Sequence, residues 1–208
     1  MDKGMTVTTV PYGPLGSNMY IISLKDGYLI VDPSVSPDYA ISRSKLPDSL
    51  RSEVFAVLMT HGHYDHTACL DEWAEFTDKI YISSDETKVL NEPLNNCSYL
   101  FDKPVKFSSK TIDLPDELTI SDADIKVLRT PGHTPGSVCF FFEKEKVLFT
   151  GDTLFAGSVG RSDLPLGDYG DLMSSLKSLV TLPDDTICYP GHGFRTSIRT
   201  EKERNPYL

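Results

Sequence analysis

The sequence predicts an α+β protein in which two β-sheets pack face to face and helices cover the outer surfaces. Runs with the composition of β-strands occur in both halves of the 208-residue chain, and helical patterns follow them. Each histidine-containing motif stands just after the end of such a run, which predicts a site along one edge of the sheets. No linker or low-complexity tract divides the chain, so we expect residues 1–208 to form one domain.

Strand-like runs separated by turn signals dominate the first part of the chain. Gly13-Pro14, Gly16 and Asp26-Gly27 mark turns, because glycine and proline favour turn conformations. The predicted strands are residues 5–10, 18–23, 28–31, 54–59 and 80–82. Apolar residues then recur at helical spacing over residues 70–76, and residues 86–90 are expected to belong to a short helix.

The second part of the chain follows the same plan. Predicted strands cover residues 125–128, 138–142, 147–149 and 187–189. Leu172, Leu176 and Leu179 mark a helix between the third and fourth of these strands. This helix is expected to begin near Asp168 and Asp171, since acidic residues favour a helix N-terminus.

Composition and charge exclude several classes of partner. The net charge of −10 disfavours binding to nucleic acid or anionic membranes, which requires clustered lysine and arginine. No apolar run reaches the length of a membrane span, and the N-terminus lacks the apolar stretch of a signal peptide. The four cysteines form no CxxC pair, which is typical of buried thiols in a reducing compartment. We therefore expect a cytoplasmic protein.

All five histidines stand in short motifs that contain glycine or aspartate. Three of them lie in the segment Thr60-His61-Gly62-His63-Tyr64-Asp65-His66. The other two, His133 and His192, each follow a Pro-Gly pair. Neutral imidazole is the commonest metal ligand in proteins, and the neighbouring carboxylates complete a ligand set. This distribution of histidine predicts a metal-dependent hydrolase.

The spacing of the first motif indicates two neighbouring metal positions. Residues i and i+2 of an extended chain project to the same side, so His61 and His63 can bind one metal together. Asp65 and His66 follow a turn toward the next helix and point to an adjacent position. Two metals roughly 3.5–4 Å apart satisfy both pairs. His133 and His192 are each expected to complete one ligand set.

Asp152 is the candidate for a carboxylate that bridges the two metals. It follows an apolar strand in the segment Thr150-Gly151-Asp152-Thr153. Gly151 permits a close approach of the backbone at this point. The alternative interpretation is a simple turn after the strand.

Together these residues resemble the HxHxDH signature of the metallo-β-lactamase superfamily, over essentially the whole chain. The resemblance implies a four-layer αββα sandwich. It also implies two metal sites with a shared carboxylate: His61, His63 and His133 in the first, Asp65, His66 and His192 in the second, and Asp152 between them. Asp32, before Pro33, matches an early aspartate of this superfamily. The resemblance implies that it accepts hydrogen bonds from the metal-binding loop and so orients the ligands, and an Asp-Pro turn is the alternative.

One branch of the superfamily resembles the chain most in its sequence motifs. True β-lactamases generally carry a cysteine where this chain has Asp152. The chain instead resembles the short glyoxalase II-like hydrolases of bacteria, in residues 157–165 and in the segment Thr196-Ser197-Ile198. Full-length glyoxalase II has a C-terminal helical domain and a tyrosine shortly after its last metal histidine. This chain has Gly193-Phe194-Arg195 there and ends soon afterwards. We therefore expect an open site with few contacts to the glutathione peptide and a weak KM for S-lactoylglutathione.

Three further residues are candidate substrate contacts. Tyr64 stands inside the metal-binding motif and can face the substrate, although a surface tyrosine is the alternative. Phe155 is expected to line the pocket or to pack beneath it. Arg161 can receive a substrate carboxylate, with a salt bridge to Asp163 or Asp168 as the alternative.

The resemblance implies hydrolysis of a small thioester such as S-lactoylglutathione. Two divalent metal ions per chain, expected to be zinc with iron or manganese as alternatives, lower the pKa of a bridging water and deliver hydroxide to the carbonyl. Asp65 and Asp152 are the predicted catalytic carboxylates. One alternative is a persulfide dioxygenase with a single iron on His61, His133 and Asp152, and another is hydrolysis of a different small ester or phosphodiester.

Overall fold

Two β-sheets of six strands each form the centre of the computed structural model, which describes residues 4–101 and 104–208. The first sheet contains β1 (Thr6–Val10), β2 (Met19–Ser23), β3 (Tyr28–Val31), β4 (Val54–Leu58), β5 (Ile80–Ile82) and β6 (Ile112–Asp113). The second contains β7 (Glu117–Ile120), β8 (Ala123–Arg129), β9 (Val138–Phe142), β10 (Val147–Gly151), β13 (Ile187–Pro190) and β14 (Thr196–Ser197). Between β10 and β13 in the chain, β11 (Leu154–Phe155) and β12 (Ser158–Val159) form a hairpin.

Helices connect the strands and cover the sheets. The α-helices of the described residues are α1 (Pro37–Ser44), α2 (Tyr64–Thr67), α3 (Leu70–Trp73), α4 (Thr87–Asn91), α5 (Tyr169–Leu179) and α6 (Ile198–Arg204). Short 3-10 helices occur at Pro14–Gly16, Asp48–Ser52, Ser84–Glu86 and Ser98–Phe101. A search of residues 4–101 and 104–208 for a helix long and apolar enough to cross a membrane finds none.

Alternating side chains of the strands fill both faces of each sheet. In β2, Tyr20 packs between the two sheets, whereas the next residue, Ile21, packs in the cluster that α1 and α3 cover. In β9, Phe140 packs between the sheets and Phe141 packs in the cluster of α5 and α6. Because successive strand residues point to opposite faces, the apolar runs create three cores between four layers. The predicted αββα sandwich is therefore confirmed.

Several elements differ from the predicted ones. The helix expected over residues 70–76 is only Leu70–Trp73. It stops early because Thr77 donates a hydrogen bond to the Phe55 carbonyl, at 3.2 Å, and so returns the chain to the sheet before β5. The short helix α1 was not predicted, although Ser36 caps it and Pro37 occupies its first turn, both ordinary start signals. Strand β7, the hairpin strands, β14 and α6 were also not predicted.

The ends of four strands lie at one edge of the sandwich and position the site. Strands β10 and β13 are parallel, and β8 runs in the same direction because both β8 and β10 are antiparallel to β9. Strand β4 of the other sheet leads directly to His61. At this edge the Val138 amide donates to the Thr60 carbonyl at 2.9 Å, which joins the two sheets. Residues distant in the chain are thereby held in one region.

Candidate metal centre

The side chains predicted as metal ligands converge at this edge. Both predicted ligand sets have a nitrogen or oxygen atom from each member within 4.8 Å of the others: His61, His63 and His133 in the first group, and Asp65, His66 and His192 in the second. Asp32, His61 and His66 form a third such cluster. Asp152 lies between the groups. Its Oδ2 atom is 3.5 Å from His133 Nε2 and 3.6 Å from His192 Nε2. This geometry offers two adjacent cation positions with a carboxylate between them.

The first group is buried. His61, His63 and His133 are almost completely inaccessible to solvent. His63 Nδ1 lies 2.9 Å from His133 Nε2. Burial lowers the pKa of His61 well below its ordinary value and lowers the pKa of His63 to about 3. Neutral imidazoles retain a lone pair on one ring nitrogen, which is the form that binds metal.

The second group combines carboxylate and imidazole. Asp65 Oδ2 lies 3.1 Å from His192 Nε2, and His66 Nε2 lies 3.3 Å from that same nitrogen. Burial opposes protonation of His66, but the carboxylates of Asp152 and Asp65 outweigh burial and raise its pKa well above the ordinary value. Carboxylates that draw a proton onto a buried imidazole create a demand for positive charge. A divalent cation at this position meets that demand.

Asp32 orients two of the histidines, one directly and one through the Thr60 hydroxyl. Its Oδ1 accepts the Thr60 amide at 2.8 Å, and its Oδ2 accepts the Thr60 hydroxyl at 2.7 Å and His66 Nδ1 at 3.1 Å. Since the Thr60 hydroxyl donates to Asp32, it is free to accept from His61 Nδ1, 3.0 Å away. In their neutral form, both imidazoles therefore carry the proton on Nδ1 and leave Nε2 as the metal-binding atom. Asp32 has a φ of 53°, so the predicted turn and the hydrogen-bonding role occur together.

His133 is oriented in the same way by a backbone carbonyl. Its Nδ1 lies 2.7 Å from the Arg161 carbonyl oxygen, which can only accept, so the proton is on Nδ1 and the lone pair is on Nε2. His61 Nε2 and His63 Nε2 are buried and have no hydrogen-bond partner within the part of the chain that the structure describes. The lone pair of His61 Nε2, buried without a donor, is unfavourable unless a cation occupies the space it faces. The donor set thus fits divalent metal ions.

Two glycines allow the backbone to approach the centre. Gly151 has a φ of 47°, and a Cβ there would lie 2.5 Å from Thr60 Oγ1. A Cβ on Gly191 would lie 2.1 Å from Asp152 Oδ1. Both distances are far below van der Waals contact, so the placement of Asp152 depends on glycine at these positions.

Glu86 was not identified from the sequence, yet it joins the two loops of the first group. Its carboxylate is fully buried, with Oε2 accepting the Gly62 amide at 2.6 Å and Oε1 accepting the Gly136 amide at 2.7 Å. Burial raises the pKa of Glu86, and hydrogen bonds that include those of the two amides oppose this rise. Gly62 stands between His61 and His63, and Gly136 follows the His133 loop. A glutamate in a short polar segment carries no spacing signal that relates it to these motifs.

Ser17 and Asn18, also not identified from the sequence, tie the second group to the first sheet. The Ser17 hydroxyl donates to the Asp65 carbonyl at 2.6 Å. The Asn18 amide nitrogen donates to the carbonyls of Pro190 and Gly193, at 2.9 and 3.0 Å. These bonds hold the loop that carries His192 against the helix that carries Asp65 and His66.

A cavity of about 320 Å³ opens over both groups. Its polar floor is formed by His63, Asp65, His133, Asp152 and His192. Its apolar wall is formed by Leu15, Leu100, Phe101, Phe155, Val159 and Leu164, and Cys97, Ser158 and Arg161 complete the lining. The predicted metal centre is therefore accessible to a small molecule.

The three candidate substrate contacts occupy different places. Phe155 lines the cavity, with its ring 6.0 Å from that of His192. Tyr64 lies behind the wall instead, because its ring packs 5.0 Å from the ring of Phe101. Arg161 lines the cavity but forms the salt bridge with Asp163 that was the alternative, at 2.7 and 2.8 Å. The other proposed partner, Asp168, caps α5 and accepts the Asp171 amide.

Comparison with known proteins assigns the chain to a family. The family model described as the metallo-beta-lactamase superfamily matches residues 12–192. The chain belongs to the metallo-β-lactamase superfamily. It is thus a metal-dependent hydrolase of this superfamily, whose members bind metal ions.

Individual members of the superfamily are similar over most of their length. Hydroxyacylglutathione hydrolase GloC of Haemophilus influenzae is 37% identical over 191 residues, which are 86% of this chain and 86% of that protein. The crystal structure of BLEG-1 B3 metallo-beta-lactamase is 33% identical, with a TM-score of 0.86 over 98% of this chain and 99% of that one. TTHA1623, solved in a di-iron-bound form, is 32% identical, with a TM-score of 0.83 over 97% and 100% of the two chains.

Proposed function

We propose that this metallo-β-lactamase superfamily member hydrolyses small thioesters, such as S-lactoylglutathione, with two metal ions. The observation that carries the proposal is the position of Asp152, within 3.2–3.6 Å of histidines from both groups. The 37% identity to a hydroxyacylglutathione hydrolase supports the substrate class. The accessible cavity over the centre supports a small-molecule substrate.

The residues present define how the metals would be held. His61, His63 and His133 would bind the first ion, Asp65, His66 and His192 the second, and Asp152 both. When bound, two divalent ions supply Lewis acidity and a water that ionises near neutral pH. Imidazole and carboxylate suit zinc, iron and manganese, and we propose zinc with the other two as substitutes. The similar TTHA1623 has been solved with two irons.

The residues of the chain contribute charge, orientation and access. Asp65 and Asp152 offset part of the positive charge of the two ions and are the proposed catalytic carboxylates. Asp32, Thr60 and the Arg161 carbonyl hold the Nδ1 protons of three imidazoles, so that their Nε2 atoms are oriented toward the metal positions. A thiolate leaves readily, so a thioester needs no proton donor on the apolar wall opposite the centre.

Metal analysis combined with a substrate comparison tests the proposal. Protein reconstituted with zinc, iron or manganese should bind two ions per chain and hydrolyse S-lactoylglutathione without consuming oxygen. A single iron per chain with oxygen consumption on glutathione persulfide would favour the dioxygenase and contradict the proposal. Two ions with turnover of phosphodiesters but no thioester would retain the metal centre and refute the substrate class.

A further inference from the structure

The wall of the cavity differs in character from its floor. Six apolar side chains from four separate segments form the wall: Leu15, Leu100, Phe101, Phe155, Val159 and Leu164. Leu15 and Leu100 are also largely exposed, at 74% and 58%. Exposed apolar side chains grouped at the mouth of a cavity mark a place where an apolar ligand group can be buried.

Apart from the proposed metal ions, the side chains that line the cavity do not favour an anionic substrate. Arg161 is the cation that lines the cavity among residues 4–101 and 104–208. Its guanidinium forms a bidentate pair with Asp163, with Nε 2.7 Å from Oδ1 and Nη2 2.8 Å from Oδ2. That pair occupies the Nε–Nη2 edge, one of the two edges with which a guanidinium binds a carboxylate through two hydrogen bonds. The negative charges of Asp65 and Asp152 would be offset by the proposed metal ions, and the chain as a whole has a net charge of −10.

The glutathione part of S-lactoylglutathione does not match the apolar wall in charge or polarity. It carries two carboxylates and one ammonium group, and it has little apolar surface. Against this wall its carboxylates would lose water without gaining a partner, which is unfavourable. An uncharged apolar group of similar size would instead be stabilised by burial against the six side chains.

We infer that, if the proposed thioester hydrolysis is correct, the preferred substrates carry an uncharged apolar thiol group in place of the glutathione peptide. The apolar wall binds this group while the reacting carbonyl lies over the polar floor. The peptide of glutathione is then a tolerated substituent that contributes no affinity. The cavity therefore selects by apolar contact, and Arg161 takes no part in recognition while it is paired with Asp163.

A pair of thioesters with the same acyl group tests this inference. We would measure steady-state kinetics of the metal-loaded protein on the lactoyl thioesters of benzyl mercaptan and of glutathione, each normalised to its rate of alkaline hydrolysis. The benzyl thioester should have a KM at least tenfold lower, with a similar kcat. An equal or lower KM for S-lactoylglutathione would overturn the inference and leave thioester hydrolysis intact.

Binding of the free thiols separates the inference from the proposed reaction. Hydrolysis of neither thioester would refute the proposed function, and calorimetry with benzyl mercaptan and glutathione would then decide the inference. Both present a thiol to the metals, so the difference in affinity reports on the rest of the ligand. At least tenfold tighter binding of benzyl mercaptan supports the apolar wall, and equal affinity overturns it.

Four variants test which residues determine the selectivity. Asp163→Asn frees Arg161 and should lower the KM for S-lactoylglutathione severalfold without changing kcat. Leu100→Lys, which places a cation at the mouth, should act in the same direction. Leu94→Lys is the matched control, because Leu94 is equally exposed, at 61%, but does not line the cavity. If Arg161→Ala raises the KM for S-lactoylglutathione tenfold, Arg161 binds the substrate carboxylate despite Asp163 and the inference is wrong.

Discussion

Replacing Glu86 with glutamine should weaken one metal position and spare the other. The carboxylate of Glu86 accepts one amide from each loop of the first group, Gly62 on Oε2 and Gly136 on Oε1. The amide of glutamine has the same shape but has one oxygen and one NH₂ group. One of the two backbone amides then faces a donor, so one loop loses its anchor.

The size of the effect follows from the hydrogen bond that is lost. A buried hydrogen bond to a charged group contributes about 1.5–3 kcal/mol. Because about 1.4 kcal/mol corresponds to a tenfold change in an equilibrium constant, the affinity of the first group for metal should fall roughly 10- to 100-fold. Glu86 makes no hydrogen bond to Asp65, His66 or His192 in the described structure, so the second affinity should be unchanged.

Calorimetric titration of metal-free protein with zinc resolves the two affinities. Glu201→Gln is the matched control. Glu201 is equally buried and accepts the Gly157 amide at 2.9 Å, the Asn205 side chain at 2.8 Å and the Thr196 hydroxyl, but it accepts no hydrogen bond from Gly62 or Gly136. It should lower the free energy of unfolding by a similar amount while both metal affinities stay at their normal values.

Two results would refute this reasoning. Normal binding of both ions by the Glu86→Gln protein would mean that Glu86 does not position the first group. Equal weakening of both ions, in this variant and in Glu201→Gln, would mean that the loss reflects general stability. Urea unfolding of the metal-free proteins, measured in parallel, distinguishes these cases.

Three further predictions concern other parts of the molecule. Asp152→Ala should lose nearly all hydrolytic activity and much of the bound metal, because it removes the carboxylate that lies between the two groups. Metal analysis and activity assays test this, and two bound ions with normal turnover would show that Asp152 does not have this role. Cys139→Ser should lower the free energy of unfolding by about 1–3 kcal/mol, since it replaces a fully buried thiol of the α5 and α6 core with a smaller and more polar hydroxyl. Its kcat/KM should stay normal, and a large loss of kcat/KM would contradict the structural role. Phe140→Ala should lower the free energy of unfolding, measured by urea denaturation, by about 3–5 kcal/mol, because the side chain is fully buried between the sheets. A change below about 1 kcal/mol would show that the core between the sheets is loosely packed.

The sequence alone predicted the features that depend on local pattern. Strand-like runs reveal themselves by composition and period, which is why strands such as Tyr28–Val31 and Val138–Phe142 were predicted at their observed bounds. The HxHxDH motif is also local, because two histidines two residues apart on an extended chain face the same side. Since His133, Asp152 and His192 each follow a predicted strand, their convergence could be expected once the strands were assigned to one edge.

Tertiary structure alone decided the contacts between distant segments. Glu86 lies 24 residues from Gly62 and 50 residues from Gly136, and no sequence periodicity relates such positions. The pairing of Arg161 with Asp163 and not with Asp168 depends on the conformation of one loop. Tyr64 is adjacent to His63 in the chain, yet its contact with Phe101 places it behind the cavity wall. Hydrogen bonds and packing between loops form only when the sheets bring their ends together, so the lining of the cavity is a property of the folded chain.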